Sequence, residues 1–344
     1  MKKQLSLFSM LVVFSLLTFA QQRVALHSNG TTTIFSSETP LIEAYNAAIT
    51  GDTLYVSGGS FVMPTLNKGL VIIGAGFYPE YTEATLPTVI TNDFYIREDA
   101  DNLYLEGLQI QNLFKYRNVN TDNFTLIRCM ILGRIDSSVY TSSGSVNSVN
   151  ASIIQCLVTG DINMYGFVNS NIINSILDNR ITGSNSNVIL NNIFLYSFVG
   201  NNAPLYDSDN NTVENNIFHT SGYITYNSVG NIFRNNIFTQ AAPNLGGASY
   251  DFNNYKGIDL ATVHINQSGN AFSYTDNYKL QENAKTTYLG TDSPATQVGI
   301  YGGISPYKDG ALPVNPHISA KSISNSTDNN GYLNIEFTVN AQQN

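Results

Sequence analysis

Val188-Ile189-Leu190-Asn191-Asn192-Ile193-Phe194 is followed by Val213-Glu214-Asn215-Asn216-Ile217-Phe218 and then by Phe233-Arg234-Asn235-Asn236-Ile237-Phe238. Looser copies lie upstream at Leu105-Glu106-Gly107-Leu108, Ile127-Arg128-Cys129-Met130, Ile154-Gln155-Cys156-Leu157 and Ile173-Asn174-Ser175-Ile176. Taking the second Asn of the pair as anchor gives equivalent positions 107, 129, 156, 175, 192, 216 and 236, with gaps of 22, 27, 19, 17, 24 and 20 residues. A period near 20 residues is the mark of an array whose units bury their apolar faces against one another. Each copy alternates apolar and polar residues over about five positions, as a half-buried strand does. Ile, Val and Phe suit strands, and clusters such as Asp207-Ser208-Asp209-Asn210-Asn211 mark turns. No sustained helical period runs through residues 100–250. The expected fold is therefore all-β: a parallel β-helix, one coil per repeat.

The Asn pair has a physical role in such a coil. Asn tolerates left-handed backbone angles, which a bend between two strands needs. Stacked on the same bend of the next coil, its amide donates in one direction and accepts in the other, so a ladder of amides satisfies buried polar groups. Asn191, Asn192, Asn215, Asn216, Asn235 and Asn236 are read as structural on this basis. Cys129 and Cys156 occupy the anchor position in consecutive copies, which places their Cα atoms about 4.8 Å apart. That distance permits a disulfide, and equally a pair of stacked, buried thiols.

A solenoid exposes raw strand edges at its ends, and these need covers. Residues 39–49 read as a capping helix, with Thr39 as N-cap, Pro40 at the first helical position and Leu41, Tyr45 and Ala48 on one face. Near the other terminus Leu333, Ile335, Phe337 and Val339 alternate with polar residues. With His317–Ser324 and the turn at 328–331 they read as a β-hairpin that packs on the solenoid or covers its last edge. The expected organisation is 1–20 leader, 21–305 β-helix with its cap, and 306–344 hairpin extension.

The first twenty residues carry Lys2 and Lys3, an apolar run over Leu5–Phe19 and small residues near Ala20, the pattern of a secretory signal peptide cleaved there. The mature chain is then expected in the periplasm, at the cell surface or outside the cell, without a later membrane-spanning segment. Its net charge moves from −9 to −11 on losing the two lysines, which disfavours nucleic acid as a partner. Asn supplies 44 of 344 residues while charged residues make up 12%. Polarity here is carried by neutral amides, and the rare charges stand out.

The segments Thr53-Leu54-Tyr55-Val56-Ser57-Gly58-Gly59 and Leu70-Val71-Ile72-Ile73-Gly74-Ala75-Gly76 resemble the opening coils of secreted right-handed parallel β-helix proteins of the pectin-lyase-like superfamily. Tyr278-Lys279-Leu280, Asp292-Ser293-Pro294-Ala295 and Val298-Gly299-Ile300-Tyr301-Gly302-Gly303 resemble the closing coil of such proteins. The resemblance spans about residues 40–305 and implies a right-handed coil. It also implies a pool of activities: polysaccharide lyases with a Lys or Arg base beside Ca²⁺, hydrolases with clustered Asp residues, and β-helix proteins without known catalysis. Fold alone does not choose among them.

Counting from the anchors places Arg134, Asp161 and Arg180 five residues on, and Asp136, Asn163 and Thr182 two further. Equal offsets stack in a solenoid, so an Arg–Asp–Arg column is expected with Asp136 and Asn163 beside it. Arg134, Asp136, Asp161 and Arg180 are the candidate catalytic residues, able to supply a base and a charge stabiliser. The same column can grip an acidic glycan, or be no more than a solvated salt-bridge ladder. Asn163, Lys115 and Arg117 are candidate substrate-binding residues. Arg97, Glu98, Asp99 and Asp101, with Lys115 and Arg117, have the residue types of a basic group beside a Ca²⁺ site. Asp207, Asp209 and Glu214 form a second all-oxygen set, without the spacing of a known calcium loop. The four histidines are scattered without zinc spacing. The functional expectations are a β-helix protein that contacts polysaccharide without turnover, a lyase or hydrolase of acidic glycans, or an adhesive surface protein.

Overall fold

The computed structural model describes residues 22–139, 146–198 and 202–341; the leader expected at 1–20 lies outside them. The chain winds into a parallel β-solenoid of about ten coils with three faces. The first face holds ten parallel rungs, from Thr53–Val56 to Tyr250–Phe252. The second runs from Gly59–Phe61 to Ile237–Phe238, and the third from Phe94–Ile96 to Thr225–Tyr226.

The alternation in each repeat sets what points inward. On the first face Leu105, Leu126, Ile153, Ile172, Ile189, Val213 and Phe233 stand in register and are buried. On the second, Phe194, Phe218 and Phe238 stack inside, with centroids 4.5 and 5.2 Å apart. Each such side chain contributes roughly 1.5–3 kcal/mol by leaving water.

The bend between these faces explains the Asn pair and divides its work. The first member takes a left-handed φ: +57° at Asn191, +59° at Asn215 and +51° at Asn235, matched by Arg128, Gln155 and Asn174 upstream. Gly107, at φ +66°, belongs with this first set, because Glu106 pairs with Ile127. The anchor of that copy is therefore Leu108 rather than Gly107. The second member points inward and builds the ladder. Asn192 N donates to Asn216 Oδ1 at 2.8 Å, Asn216 N to Asn236 Oδ1 at 2.9 Å, and Asn236 N to Asn254 Oδ1 at 2.8 Å. Asn253-Asn254 is thus a further copy that the repeat count omits. Upstream the ladder continues through Ser175, which accepts from Cys156 N at 3.1 Å. Cys129 and Cys156 are free, buried thiols in the same line. A second ladder, Ser170–Asn187–Asn211–Asn231, precedes the first-face strands.

At the start, Val24–Ser28 pairs with both Thr31–Phe35 and Thr53–Val56 and extends the first face by an antiparallel hairpin. The helix Pro40–Ala47 buries Leu41, Ala44 and Tyr45; Thr39 precedes it but makes no side-chain cap bond. Its last carbonyls are instead met by Lys68 Nζ, which donates to Tyr45 O and Ala48 O at 2.9 and 2.8 Å.

The segment expected to close the last coil does something else. The final parallel rung is Tyr250–Phe252, after which residues 260–314 run back along the solenoid as a strap. The first-of-pair side chains, facing outward, hold it. Asn235 donates to Leu289 O, Asn215 to Thr291 Oγ1, Asn191 to Gly299 O, Asn174 to Ile300 O and Gly302 O, and Gln155 to Pro306 O. The strap ends on Glu106, a fully buried carboxylate that accepts from Val314 N at 2.8 Å and pairs with Arg128 at 2.7 Å. It covers an apolar column on the outside of the second face: Met130, Leu157, Ile176, Ile193, Ile217 and Ile237 pack against Val263, Leu280, Val298 and Ile300. The Ile-Phe of each repeat is therefore buried on both sides of one strand. The hairpin, His317–Ile323 with Ile335–Asn340, forms its own two-stranded sheet. It leaves the strap beside the first coils, near Arg23 and Tyr55, and does not cover the last edge. Its apolar side chains stay half exposed, Phe337 at 58%.

Candidate functional site

The third face is not covered by the strap, and its outward column differs from that of the second. Tyr95, Phe114, Asp136, Asn163, Thr182, Tyr206 and Tyr226 stand in register on seven consecutive coils. Aromatic rings stack at both ends, Tyr95 on Phe114 at 5.2 Å and Tyr206 on Tyr226 at 5.3 Å. The middle of the column is a carboxylate, an amide and a hydroxyl. From Phe114 to Tyr206 is four coil steps, roughly 19 Å at the sheet spacing.

Arg134, Asp161 and Arg180 line the edge of this column on consecutive coils, as Ile135 N donating to Asp161 O and Ile162 N donating to Arg180 O require. The 27-residue repeat does contain extra residues, but they follow the strand Ile135–Val139 and leave this register intact. The column does not form a continuous ladder of ion pairs. Arg180 Nε lies 3.4 Å from Asp161 Oδ2, whereas Arg134 turns to Asp136 on its own strand at 3.7 Å. Both pairs are long and partly exposed, so each contributes at most about 1 kcal/mol. Each guanidinium also sits over a ring of the column, Arg134 5.4 Å from Phe114 and Arg180 5.3 Å from Tyr206. Asp136 is held on one side by Ser138, whose N–H and hydroxyl donate at 2.9 and 2.7 Å. Asn163 Nδ2 donates to Ser138 Oγ at 2.9 Å, and its Oδ1 accepts from Tyr165 N at 3.1 Å.

Arg117 lies beside this face, 6.0 Å from the Tyr165 ring. Lys115 is on the face's strand but points inward: it is 1% exposed, with its ammonium 5.4 Å from the Phe167 ring. Burial lowers its pKa to about 8. A polymer on the outer surface would not reach it.

Of the other candidate carboxylates, Glu98 and Asp99 are exposed, and the rest are engaged one by one. Asp101 Oδ1 accepts from Asp122 N at 2.7 Å, while Arg97 stacks over Tyr116 at 3.9 Å. Asp207 binds the Asn227 amide, Asp209 accepts from Val229 N at 2.7 Å, and Glu214 pairs with Arg234 at 2.8 Å. No group of three His, Cys, Asp or Glu side chains converges among the described residues as a metal site would need.

Two groupings escape the sequence. His219 and His264 meet at the seam between solenoid and strap, with Nε2 atoms 3.2 Å apart and both rings buried. Burial and mutual repulsion lower His219 to about 3; burial lowers His264 to about 4. The aromatic ends of the third face are the other: Tyr95 and Tyr206 carry no motif, and only coil register aligns them.

No family model matches this chain, and neither a curated protein nor a solved structure matches it.

Proposed function

We propose that this chain is an exported β-helix protein of the pectin-lyase-like kind that binds an acidic polysaccharide along its third face. The leader-like residues 1–20, cut near Ala20, support export to the periplasm, cell surface or medium. The observation that carries the reading is the open column of rings, amide, hydroxyl and carboxylate flanked by Arg134 and Arg180. Phe114 is buried, but Tyr95 at one end and Tyr206 and Tyr226 at the other are part-exposed and offer stacking surfaces to sugar faces. The two guanidiniums, in weak ion pairs, offer forks for carboxylates of the polymer. On an acidic chain, a strip whose two carboxylates are each matched by an arginine repels an anionic polymer less than an unmatched acidic surface does.

A second reading, turnover by a lyase or hydrolase, draws on Asp136 and Asp161. They lie on adjacent coils two residues apart in register, roughly 8 Å between Cα atoms by sheet geometry, and each has an arginine within 4.0 Å. One experiment addresses both readings. Purified protein is titrated with polygalacturonate, alginate and a neutral glucan, with and without Ca²⁺, while binding and the ultraviolet absorbance of unsaturated ends are followed, together with reducing ends. Binding of the acidic polymers alone, lost about tenfold or more in Arg134→Ala/Arg180→Ala, is the expected result. Equal binding of the neutral glucan, or no effect of the double variant, refutes it. New ends that vanish in Asp136→Asn would establish turnover.

A further inference from the structure

A concave site lies at the covered second face, where the strap meets Tyr78, Tyr81 and Ile176 of the solenoid. It has a volume of about 210 Å³ and is walled by Tyr78 and Tyr81 from the solenoid and by Tyr274, Tyr278, Tyr301 and Tyr307 from the strap. The rings are not stacked flat. Tyr78 meets Tyr81 at 85° and Tyr274 at 82°, with centroids 6.1 and 5.0 Å apart, so ring faces are presented at right angles. Tyr81 is fixed there by Gly310: a Cβ at that glycine would come within 2.6 Å of its ring.

The charged groups around these rings are Glu80, Asp276, Asp309 and Lys279. Lys279 pairs with Asp309 at 2.6 Å, and its ammonium lies 5.6 Å from the Tyr301 centroid. The protein's own ammonium thus already rests on one of these rings. Glu80 and Asp276 remain as negative charge not balanced within the lining, Asp276 accepting only neutral donors, Tyr278 Oη at 3.1 Å and Ser268 Oγ at 3.5 Å. Burial pushes Tyr78 up to about 12, so its ring stays an uncharged phenol at neutral pH.

Size and charge together select the ligand. Drug-sized ligands and oligosaccharides need pockets of about 300 Å³ or more, so this one suits a single small group. Ring faces carry negative quadrupoles, and together with two uncompensated carboxylates they favour a cation and oppose an anion. We infer that the Tyr78–Tyr81–Tyr274 pocket binds a small organic cation, an alkylammonium group held by ring faces with Glu80 and Asp276 as counter-charges. The site is independent of the glycan-binding reading.

The test uses the folded chain and choline as probe, followed by calorimetry and by NMR shifts of the tyrosine rings, with glucose and acetate as neutral and anionic controls. Choline is expected to bind saturably and the controls not. Tyr81→Ala and Tyr274→Ala, both at exposed positions and checked for unchanged melting, should each weaken choline by about tenfold. Arg134→Ala/Arg180→Ala should leave it unchanged. Failure of choline to bind, equal binding of glucose, or full binding by both tyrosine variants overturns the assignment.

Discussion

Asn215 and Asn216 are neighbours of one residue type, yet the fold assigns them opposite duties, and this can be measured. Asn216 is fully buried. Its Oδ1 accepts from Asn192 N at 2.8 Å and Asn192 Nδ2 at 3.1 Å; its Nδ2 donates to Ile189 O, Glu214 O and Asn236 Oδ1 at 2.8, 2.9 and 3.0 Å. Asn216→Ala leaves the Asn192 N–H buried without a partner, at about 1–3 kcal/mol, and forfeits the remaining bonds at about 0.5–1.5 kcal/mol each where no substitute exists. A loss of about 3–5 kcal/mol is expected. Asn216→Ser should recover about half, because Ser175 performs the same task two rungs upstream, accepting from Cys156 N and donating to Ile173 O at 3.0 Å. Asn215 instead holds φ +59° and clasps Thr291. Asn215→Ala strains the left-handed backbone by about 1–2 kcal/mol and releases the strap. Asn215→Gly removes only the clasp and should cost less. The order of stability is therefore Ser above Ala at 216 but Gly above Ala at 215. Urea denaturation followed by far-ultraviolet circular dichroism reads all four variants. An Asn216→Ala loss below about 1 kcal/mol, or an Asn215→Gly loss equal to it, would refute the division of labour.

The buried histidine pair makes stability fall in acid. Folded values of about 3 and about 4 lie below the unfolded value near 6.5, so from pH 6.5 down towards 4 the unfolded chain binds more protons, and stability drops by up to about 1.4 kcal/mol per pH unit for each ring. Asp178, raised to about 6 by burial, acts in the opposite sense below that pH and offsets part of the slope. Urea midpoints of wild type and His219→Phe/His264→Leu across pH 4–8 check this; parallel curves would exclude the pair as the cause. Lys115→Met should be neutral or stabilising by about 1–3 kcal/mol, since it removes a buried cation whose desolvation outweighs the attraction of Asp122. Thermal melting measures that change, and polysaccharide titration should find binding unaltered; a clear loss of binding would place the amine in contact with the polymer.

The solenoid was legible because its signal is local and repeated: the strand, the bend and the turn recur within about twenty residues, and no sustained helical period accompanies them. The Arg134–Asp161–Arg180 alignment could be counted from the anchors only because the extra residues of the long repeat fall after Val139, a point the spacing alone does not settle. The strap was not legible in the same way. Its backbone bonds are to Asn and Gln side chains 54 to 151 residues away in sequence, and no period connects them. His219 and His264 are likewise brought together over 45 residues by the strap's path.

One long-range feature did leave a trace that residue-by-residue reading passes over. The residue after each anchor is Met130, Leu157, Ile176, Ile193, Ile217 or Ile237, and the next one is apolar as well. A strand with apolar residues on both of its sides belongs to a sheet buried on both faces, so the second face had to be covered by something. Six residues after the first three of these lie Asp136, Asn163 and Thr182, where inward and outward residues alternate and no cover is called for. The two outward columns thus differ in what the fold requires of them. The apolar column specifies where the chain must fold back on itself. The polar and aromatic column marks the face that the strap leaves uncovered, and the proposed polysaccharide contact rests on that difference.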